Sequence, residues 1–202
     1  MADRAKDHPN LSAMINAAFG ALLLIALVAA GLYTYQTFDA QDDSMSPTIN
    51  EGDYFLSSKH AYDFAPPQLG DVIVFTVPKL NVRSVRRVVG LPGDRVQMIG
   101  HHLTINGDYI GLAGGDGEYS ETLPNGATYE VRVRQRHWND YWTPQYLVPE
   151  GHYFVLGDNR DYSHDSRDMD NVGFVAKEDI LGKVMWRFWD GARQQIDASN
   201  IN

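Results

Sequence analysis

The stretch Asp43-Ser44-Met45-Ser46-Pro47-Thr48 lies a few residues beyond the long apolar run of this chain, residues 11–35. Its hydroxyl side chains and its proline are typical of a turn. A serine placed just after a membrane-length segment also suggests a nucleophile directed at a substrate near the membrane. The rest of the sequence decides between these interpretations through the groups that it could bring to Ser44.

Composition limits the class of protein. A length of 202 residues suits one membrane anchor and one moderate soluble domain, and a hydrophobic content of 44% is enough for a packed core. The net charge of −9 argues against nucleic acid as a partner, because such binding depends on cations that neutralise phosphates. The absence of cysteine excludes disulfides, thiol catalysis and cysteine-ligated metal sites.

Residues 13–35 are predicted to form a transmembrane anchor. No charged residue lies between Pro9 and Phe38, and about 20 apolar residues are enough to span the hydrocarbon of a bilayer. Tyr33 and Tyr35 stand where interfacial aromatic residues are common. A cleaved signal peptide is the alternative, although the apolar run is long for one.

The charges that flank the apolar run predict its orientation. Arg4 and Lys6 precede it, and three aspartates follow it before Ser44. Since basic residues favour the cytoplasmic side, residues 1–12 are expected to be a short cytoplasmic head. The remainder of the chain is then expected outside the membrane.

Short β-rich runs alternate with turn signals after the anchor. The turns include Gly90-Leu91-Pro92-Gly93-Asp94 and Asn106-Gly107. This spacing predicts a mainly β fold, a sandwich or barrel with little helix, over residues 36–190. Within that domain we expect a smaller inserted β subdomain at about residues 97–150. Two further segments are expected to be a mobile surface loop and a polar tail: residues 111–121 and 191–202.

The densest polar motif is Gly157-Asp158-Asn159-Arg160-Asp161-Tyr162-Ser163-His164-Asp165-Ser166-Arg167. Its many oxygen ligands would suit a calcium loop, but that pattern fails. Counted from Asp161, Ser166 stands where the turn glycine is required and Val172 stands where the closing glutamate is required. The two arginines indicate charge pairing instead, and no metal site is predicted.

Taken in order behind an anchor, these motifs resemble the bacterial type I signal peptidase (leader peptidase) family. The resemblance runs from the anchor to about Gly182. It rests on Ser44-Met45-Ser46-Pro47-Thr48, Gly52-Asp53, Gly70-Asp71-Val72-Ile73-Val74-Phe75, Arg87-Val88-Val89-Gly90-Leu91-Pro92-Gly93-Asp94, Glu121-Thr122-Leu123-Pro124-Asn125-Gly126 and the block from Gly157 to Arg167. It implies an antiparallel β domain on the outer side of the bacterial inner (plasma) membrane, held by one transmembrane helix. Such a domain removes signal peptides from exported precursor proteins, so signal peptides and the lipid bilayer are the expected partners.

The resemblance also implies roles for single residues. Ser44 is the nucleophile, Ser163 supports the general base through a hydrogen bond, and Asp165 and Arg167 form a structural ion pair under the site. Small apolar pockets accept small side chains on the acyl side of the cut. No cofactor is expected, because hydrolysis through a serine needs only water as second substrate. The family's base is a lysine, so four histidines are interpreted as surface or structural residues: His60, His101, His102 and His164.

Arg86 occupies the position of the family lysine, directly before the Arg87 run. The nearest earlier lysine, Lys79, is ~23 Å away along an extended strand and does not replace it. A general base must be neutral, and neutralising a lysine at pH 7 requires about 4.6 kcal/mol, against roughly 7.5 to 9 kcal/mol for an arginine. Arg86 is therefore a poor base, but it could lower the pKa of the serine hydroxyl or bind a carbonyl or carboxylate.

Asp42 and Asp43 form a second departure from the family pattern, which commonly has a small hydroxyl residue and a glycine at these positions. The hydroxyl contributes to the oxyanion hole, where one donor is typically worth ~3 kcal/mol. A carboxylate there is repulsive, although Asp42 could pair with Arg86, or either aspartate could act as a base. Two interpretations remain: a membrane-anchored serine endopeptidase with unusual activation, and a catalytically silent paralogue that binds peptides or serves in assembly.

Aromatic residues concentrate near the end of the chain at Trp186, Phe188 and Trp189, with Trp138 and Trp142 further back. Core packing is the preferred interpretation of this cluster. The alternative is an interfacial patch that rests on the bilayer, since tryptophan favours that zone.

Overall fold

The computed structural model describes residues 10–134 and 142–201, so the predicted head lies largely outside the described residues. The chain divides into two compact units, residues 1–35 and residues 36–202. The first unit contains a single described helix, and the second is built from β-strands.

Helix α1 (Leu11–Thr34) begins where the Asn10 side chain accepts a hydrogen bond from the Ser12 amide at 3.2 Å. This cap satisfies one of the first amides, which have no partner within the helix. The helix ends at Tyr35, where the backbone becomes extended. Residues Ser12–Thr34 are long and apolar enough to cross a membrane, as the sequence predicts.

The strands follow one another along the second unit. They are β1 (Tyr35–Asp39), β2 (Tyr54–Ser58), β3 (Val72–Val77), β4 (Val82–Gly90), β5 (Arg95–Ile99), β6 (His102–Ile105), β7 (Asp108–Tyr109), β8 (Leu112–Gly115), β9 (Glu118–Thr122), β10 (Thr128–Arg132), β11 (Tyr146–Leu147), β12 (His152–Leu156), β13 (Val175–Ala176), β14 (Ile180–Asp190) and β15 (Gln195–Asn200). A short 3-10 turn, Lys177–Asp179, precedes β14. The prediction of a mainly antiparallel β fold behind one apolar helix is confirmed.

The main sheet has eight strands in the order β1-β2-β14-β3-β4-β12-β13, with β15 paired to β14. Strand β3 lies at its centre, and residues Val72–Phe75 are buried throughout. The register pairs Ile73 of β3 with Arg86 of β4, which places Arg86 in the middle of the sheet. A buried cluster that includes Met45, Ile49 and Phe55 packs one face of this region.

Two smaller sheets, β11-β5-β6-β7 and β10-β9-β8, occupy much of the segment predicted to be an inserted subdomain. One hydrophobic cluster joins them to the main sheet, because it combines Val96 and Val131 with Val89 and Phe154. Residues 36–202 accordingly form one compact unit.

Residues 111–121, predicted to be a mobile loop, form most of the β8–β9 hairpin, so that prediction is wrong. The hairpin turns on Asp116 and Gly117, which have φ values of 57° and 87°. Positive φ at both central residues is characteristic of a type I′ turn, and Asp-Gly is a preferred sequence for it. The high glycine content concealed this short-range signal.

The predicted polar tail also contains a strand. Residues Gln195–Asn200 form β15 and pair with β14, and the neighbouring Ile201 is buried in the Met45 cluster. Backbone hydrogen bonds let an edge strand form although its side chains are mostly polar. Arg187 of β14 reinforces the pairing through an ion pair with Asp197 at 2.9 Å.

The aromatic cluster on β14 does not form a core. Trp186 is 40% exposed, so the prediction of core packing is wrong for it, and Phe188 and Trp189 are only partly buried. The ring of Phe188 lies 6.2 Å from that of Tyr54, which is also exposed. Trp138 lies outside the described residues.

Candidate active site

A loop between β1 and β2 carries Ser44 and is fixed to the core by its neighbours. Met45 and Ile49 are buried, and the Ile49 amide donates to the Met45 carbonyl at 3.0 Å. The Asn159 amide donates to the Ser44 carbonyl at 3.0 Å, and the Asn159 side chain donates to the Asp43 carbonyl at 3.0 Å. The block from Gly157 to Arg167 therefore holds the backbone of Ser44 in place.

Arg86 meets the hydroxyl of Ser44 directly. Its Nη1 donates to Ser44 Oγ at 2.7 Å and to the Val85 carbonyl at 2.6 Å, and its Nε donates to the His164 carbonyl at 2.9 Å. Both Ser44 and Arg86 are buried. The position predicted for the base is thus in contact with the predicted nucleophile.

Arg86 remains a hydrogen-bond donor in this environment. Burial lowers the pKa of Arg86 from its ordinary value, while the negative charges of Asp165 and Asp42 raise it again. A guanidinium has five N–H donors and no acceptor. Ser44 Oγ therefore accepts the bond, and Arg86 can stabilise a negative charge on Oγ but cannot remove its proton.

Asp42 contacts the backbone of Ser44. Its Oδ1 accepts a hydrogen bond from the Ser44 amide at 2.9 Å, and the residue is exposed. The proposed pairing of Asp42 with Arg86 is not among the ion pairs of the described residues, because Asp42 bonds the Ser44 amide whereas Arg86 bonds the Ser44 hydroxyl. Asp43 bonds elsewhere, because its Oδ1 accepts from the Glu51 amide at 3.0 Å.

Asp165 and Arg167 form the ion pair that the family pattern implies. Nε and Nη2 of Arg167 each donate to one carboxylate oxygen of Asp165 at 2.8 Å. Burial by itself raises the pKa of Asp165. The Arg167 guanidinium and the hydrogen bonds from Ser163 and the Gly157 amide outweigh this effect and hold that pKa below its ordinary value.

Ser163 donates its hydroxyl to Asp165, and no hydrogen bond between the described residues joins it to Arg86. It nevertheless lies against the Ser44 loop. A Cβ added to Gly157 would lie 2.3 Å from Ser163 Oγ and 2.6 Å from the Ser44 carbonyl oxygen. Gly157 is therefore required by this close approach of three segments.

A buried ionic network beneath the site connects motifs for which the sequence suggested no individual roles. Arg87 binds Asp158 through two hydrogen bonds of 2.8 and 2.6 Å, and Thr48 donates to the same carboxylate at 2.5 Å. Arg160 pairs with Glu121, whose Oε2 also accepts from Tyr129. The guanidinium of Arg87 lies 4.0 Å from the centre of the Tyr129 ring. The alternation of arginine and aspartate in the Gly157 block was the available signal for this network.

The side chains of Lys79, His60 and His102 make contacts elsewhere, and His164 meets Arg86 through its backbone carbonyl. His60 bonds Asp63 at 2.8 Å, His102 packs on Tyr109 with ring centroids 4.5 Å apart, and burial lowers the pKa of His101. The side chain of His164 is exposed. Lys79 donates to the Asp170 carbonyl at 2.5 Å. Over the described residues, no group of three or more His, Asp or Glu residues could hold a metal ion.

A cavity of about 210 Å³ opens beside Ser44. The cavity is largely apolar. The apolar residues that line it are Phe38, Ala40, Met45, Ile49, Phe55, Val74 and Val85. Ser44, Arg86 and Asp42 supply polar groups to the same cavity. A buried serine hydroxyl beside an apolar cavity is an arrangement that serine hydrolases use to bind a substrate next to the nucleophile.

Comparison with known proteins gives the family. The family model described as signal peptidase, peptidase S26, matches residues 11–189. Signal peptidase I of Rickettsia typhi is 37% identical, with 84% of this chain and 77% of the relative covered, and that of Rickettsia felis is 35% identical, covering 91% and 82%. The chain belongs to the signal peptidase S26 family, which confirms the resemblance seen in the sequence. A crystal structure of a signal peptidase I from Enterococcus faecalis V583 is 33% identical, covering 58% of this chain and 95% of that one, with a TM-score of 0.39.

Proposed function

We propose that this protein is a membrane-anchored serine endopeptidase that removes signal peptides from exported precursor proteins, with Ser44 as the nucleophile. The observation that carries the proposal is the buried Ser44 hydroxyl, held by Arg86 at 2.7 Å on the wall of an apolar cavity. The curated relatives are signal peptidases I, and this chain matches most of their length. They give no support to the catalytically silent alternative.

The cavity suits the residues that precede the scissile bond. A volume of about 210 Å³ with walls such as Ala40, Ile49 and Val74 favours small apolar side chains. Secretory signal peptides end in small residues of the Ala-x-Ala type, which fit this space. The apolar helix and the charges around it favour a single pass through the bacterial inner membrane, with the β domain outside.

In the proposed chemistry Ser44 Oγ loses its proton and attacks the scissile carbonyl carbon, which moves the negative charge onto the carbonyl oxygen. Arg86, which donates to Oγ, favours the deprotonated oxygen that makes the attack. Because Arg86 has only donors, the serine proton must pass to another group. We assign the proton to Asp42, the carboxylate bonded to the Ser44 amide. Asp42 then gives this proton to the leaving amine as the peptide C–N bond breaks, and water hydrolyses the acyl-serine. A protonated Asp42 is uncharged, so its hold on the Ser44 amide weakens and that amide becomes free to bind the oxyanion.

Cleavage of a signal-peptide substrate by the full chain in detergent tests this function. The wild type is compared with Ser44→Ala and Arg86→Lys under one condition, with cleavage followed by mass spectrometry. We expect the wild type to cleave and Ser44→Ala to be inactive. If the wild type is no faster than Ser44→Ala while Arg86→Lys gains activity, the chain is not a peptidase.

A further inference from the structure

Arg86 has more donors than the protein uses. The side chain is only 5% exposed, yet it lines the cavity beside Ser44. Nε and Nη1 bond to the His164 carbonyl, Ser44 Oγ and the Val85 carbonyl, and Nη2 makes none of the hydrogen bonds between the described residues. A guanidinium presents its N–H groups in a planar fork that matches a carboxylate. The cavity is therefore lined by a buried cation whose Nη2 group is available to an anion, while Nε and Nη1 already donate to the protein.

Four charged residues line the cavity, and they differ in their exposure to solvent. Asp39 and Asp42 are exposed residues at the cavity, and Asp39 already accepts a hydrogen bond from Gln41. Arg83, the other arginine of the lining, is also exposed and packs over the Phe38 ring at 5.8 Å. Arg86 is thus the buried charged group of the lining. The Ser44 amide already donates to a carboxylate oxygen, Asp42 Oδ1, so a carboxylate fits against the backbone of this serine.

We propose that this cavity binds peptides by their free C-terminal carboxylate, which pairs with Arg86 while the last side chain fills the apolar space. This inference rests on the proposed function in that the residues before a cleaved bond occupy the cavity. A carbonyl carbon in position for attack lies roughly 3 to 3.5 Å from the nucleophile. Arg86 Nη1 is 2.7 Å from Ser44 Oγ, so a carboxylate beside Oγ lies next to the same guanidinium, whose Nη2 carries the N–H groups that the protein leaves available.

The consequence is retention of the cleaved signal peptide. The new C-terminal carboxylate of this peptide forms at Ser44, next to the buried guanidinium of Arg86. The cleaved peptide therefore competes with the next precursor for the cavity. Asp42 opposes this binding, because it repels a second carboxylate and already occupies the Ser44 amide.

Equilibrium binding to the wild-type full chain in detergent tests the proposal. The probes are a short peptide that ends in Ala-Gln-Ala with a free carboxylate and the same peptide with a C-terminal amide, each competing against a fluorescent copy of the acid. We expect the acid to bind about tenfold to a hundredfold more tightly, as for a charge-assisted hydrogen bond. Equal affinities of the two peptides overturn the proposal, and no substitution is needed for this comparison.

Variants then locate the carboxylate. Arg86→Gln is expected to bring the two peptides to equal affinity, and Asp42→Asn is expected to increase affinity for the acid. Arg83→Gln is the matched control at the exposed arginine, and it should reduce the preference for the acid far less than Arg86→Gln does. A preference that depends on Arg83 rather than Arg86 contradicts the proposal.

The binding experiment and the cleavage experiment test different proposals, and either can give a negative result without the other. A preference for the acid in a chain that does not cleave precursors leaves this inference standing and removes the proposed peptidase. Cleavage with equal binding of acid and amide removes this inference alone.

Discussion

Two glutamates on strand β9 provide a direct measure of the buried network beneath Ser44. Glu121 pairs with Arg160 with both side chains almost fully buried, at 0% and 1% exposure. Glu118, three residues earlier, pairs with Arg132 at 58% and 19% exposure. The two ion pairs share a strand and a chemistry but differ in their contact with water.

We expect Glu121→Gln to lower the free energy of unfolding by about 3 to 5 kcal/mol, because it leaves the charge of Arg160 buried without a counter-ion. The change also weakens the acceptor of the Tyr129 hydroxyl, which bonds Glu121 at 2.7 Å. Glu118→Gln should lower it by about 0 to 1 kcal/mol, as is usual for an exposed pair.

Urea unfolding of the full chain in detergent, followed by circular dichroism, measures both changes. The comparison requires equal slopes of free energy against urea for the variants, so that only stability differs. A loss for Glu121→Gln that is no larger than that for Glu118→Gln would refute the view that this network is essential to the fold.

Three further predictions concern the site itself. Gly157→Ala should greatly reduce cleavage, because the added Cβ would lie 2.6 Å from the Ser44 carbonyl oxygen. Gly111→Ala is the control, since its Cβ enters open space and should leave activity unchanged. Equal cleavage rates for the two variants would contradict the view that Gly157 is required by the close packing around it. Arg86→Lys should cleave faster than the wild type, because a buried lysine can lose its proton near pH 7 and act as the base. The cleavage rate of this variant should rise with pH, and a rate that does not change with pH would show that the lysine is not the base. The folded pKa of Asp165 is below its ordinary value, so its contribution to stability is present above about pH 4 and is lost as pH falls through the folded pKa. Urea unfolding at several acidic pH values should therefore give a smaller pH dependence for Asp165→Asn than for the wild type, and identical dependences argue against this assignment.

Local sequence signals account for much of what could be predicted. The uncharged run before Phe38 predicts helix α1, since hydropathy over such a length needs no information about distant residues. The Asp116-Gly117 turn is equally local and could have been recognised, but the glycines around it suggested a loop. The hydrogen bond that the Ser44 amide donates to Asp42, two residues away, is also a short-range interaction.

The ordered motifs by themselves indicated the family, and they predicted that Ser44 is the nucleophile and that Arg86 stands at the position of the family's lysine. Only the tertiary structure decided what these residues contact. Arg87 reaches Asp158 and Arg160 reaches Glu121 across 71 and 39 positions of sequence, and Arg86 meets Ser44 across 42. Such pairs depend on strand order and register, which place β4 beside both β3 and β12. The physical reason is that hydropathy and turn propensity act between near neighbours, whereas a buried charge acquires its partner only when the whole sheet has assembled.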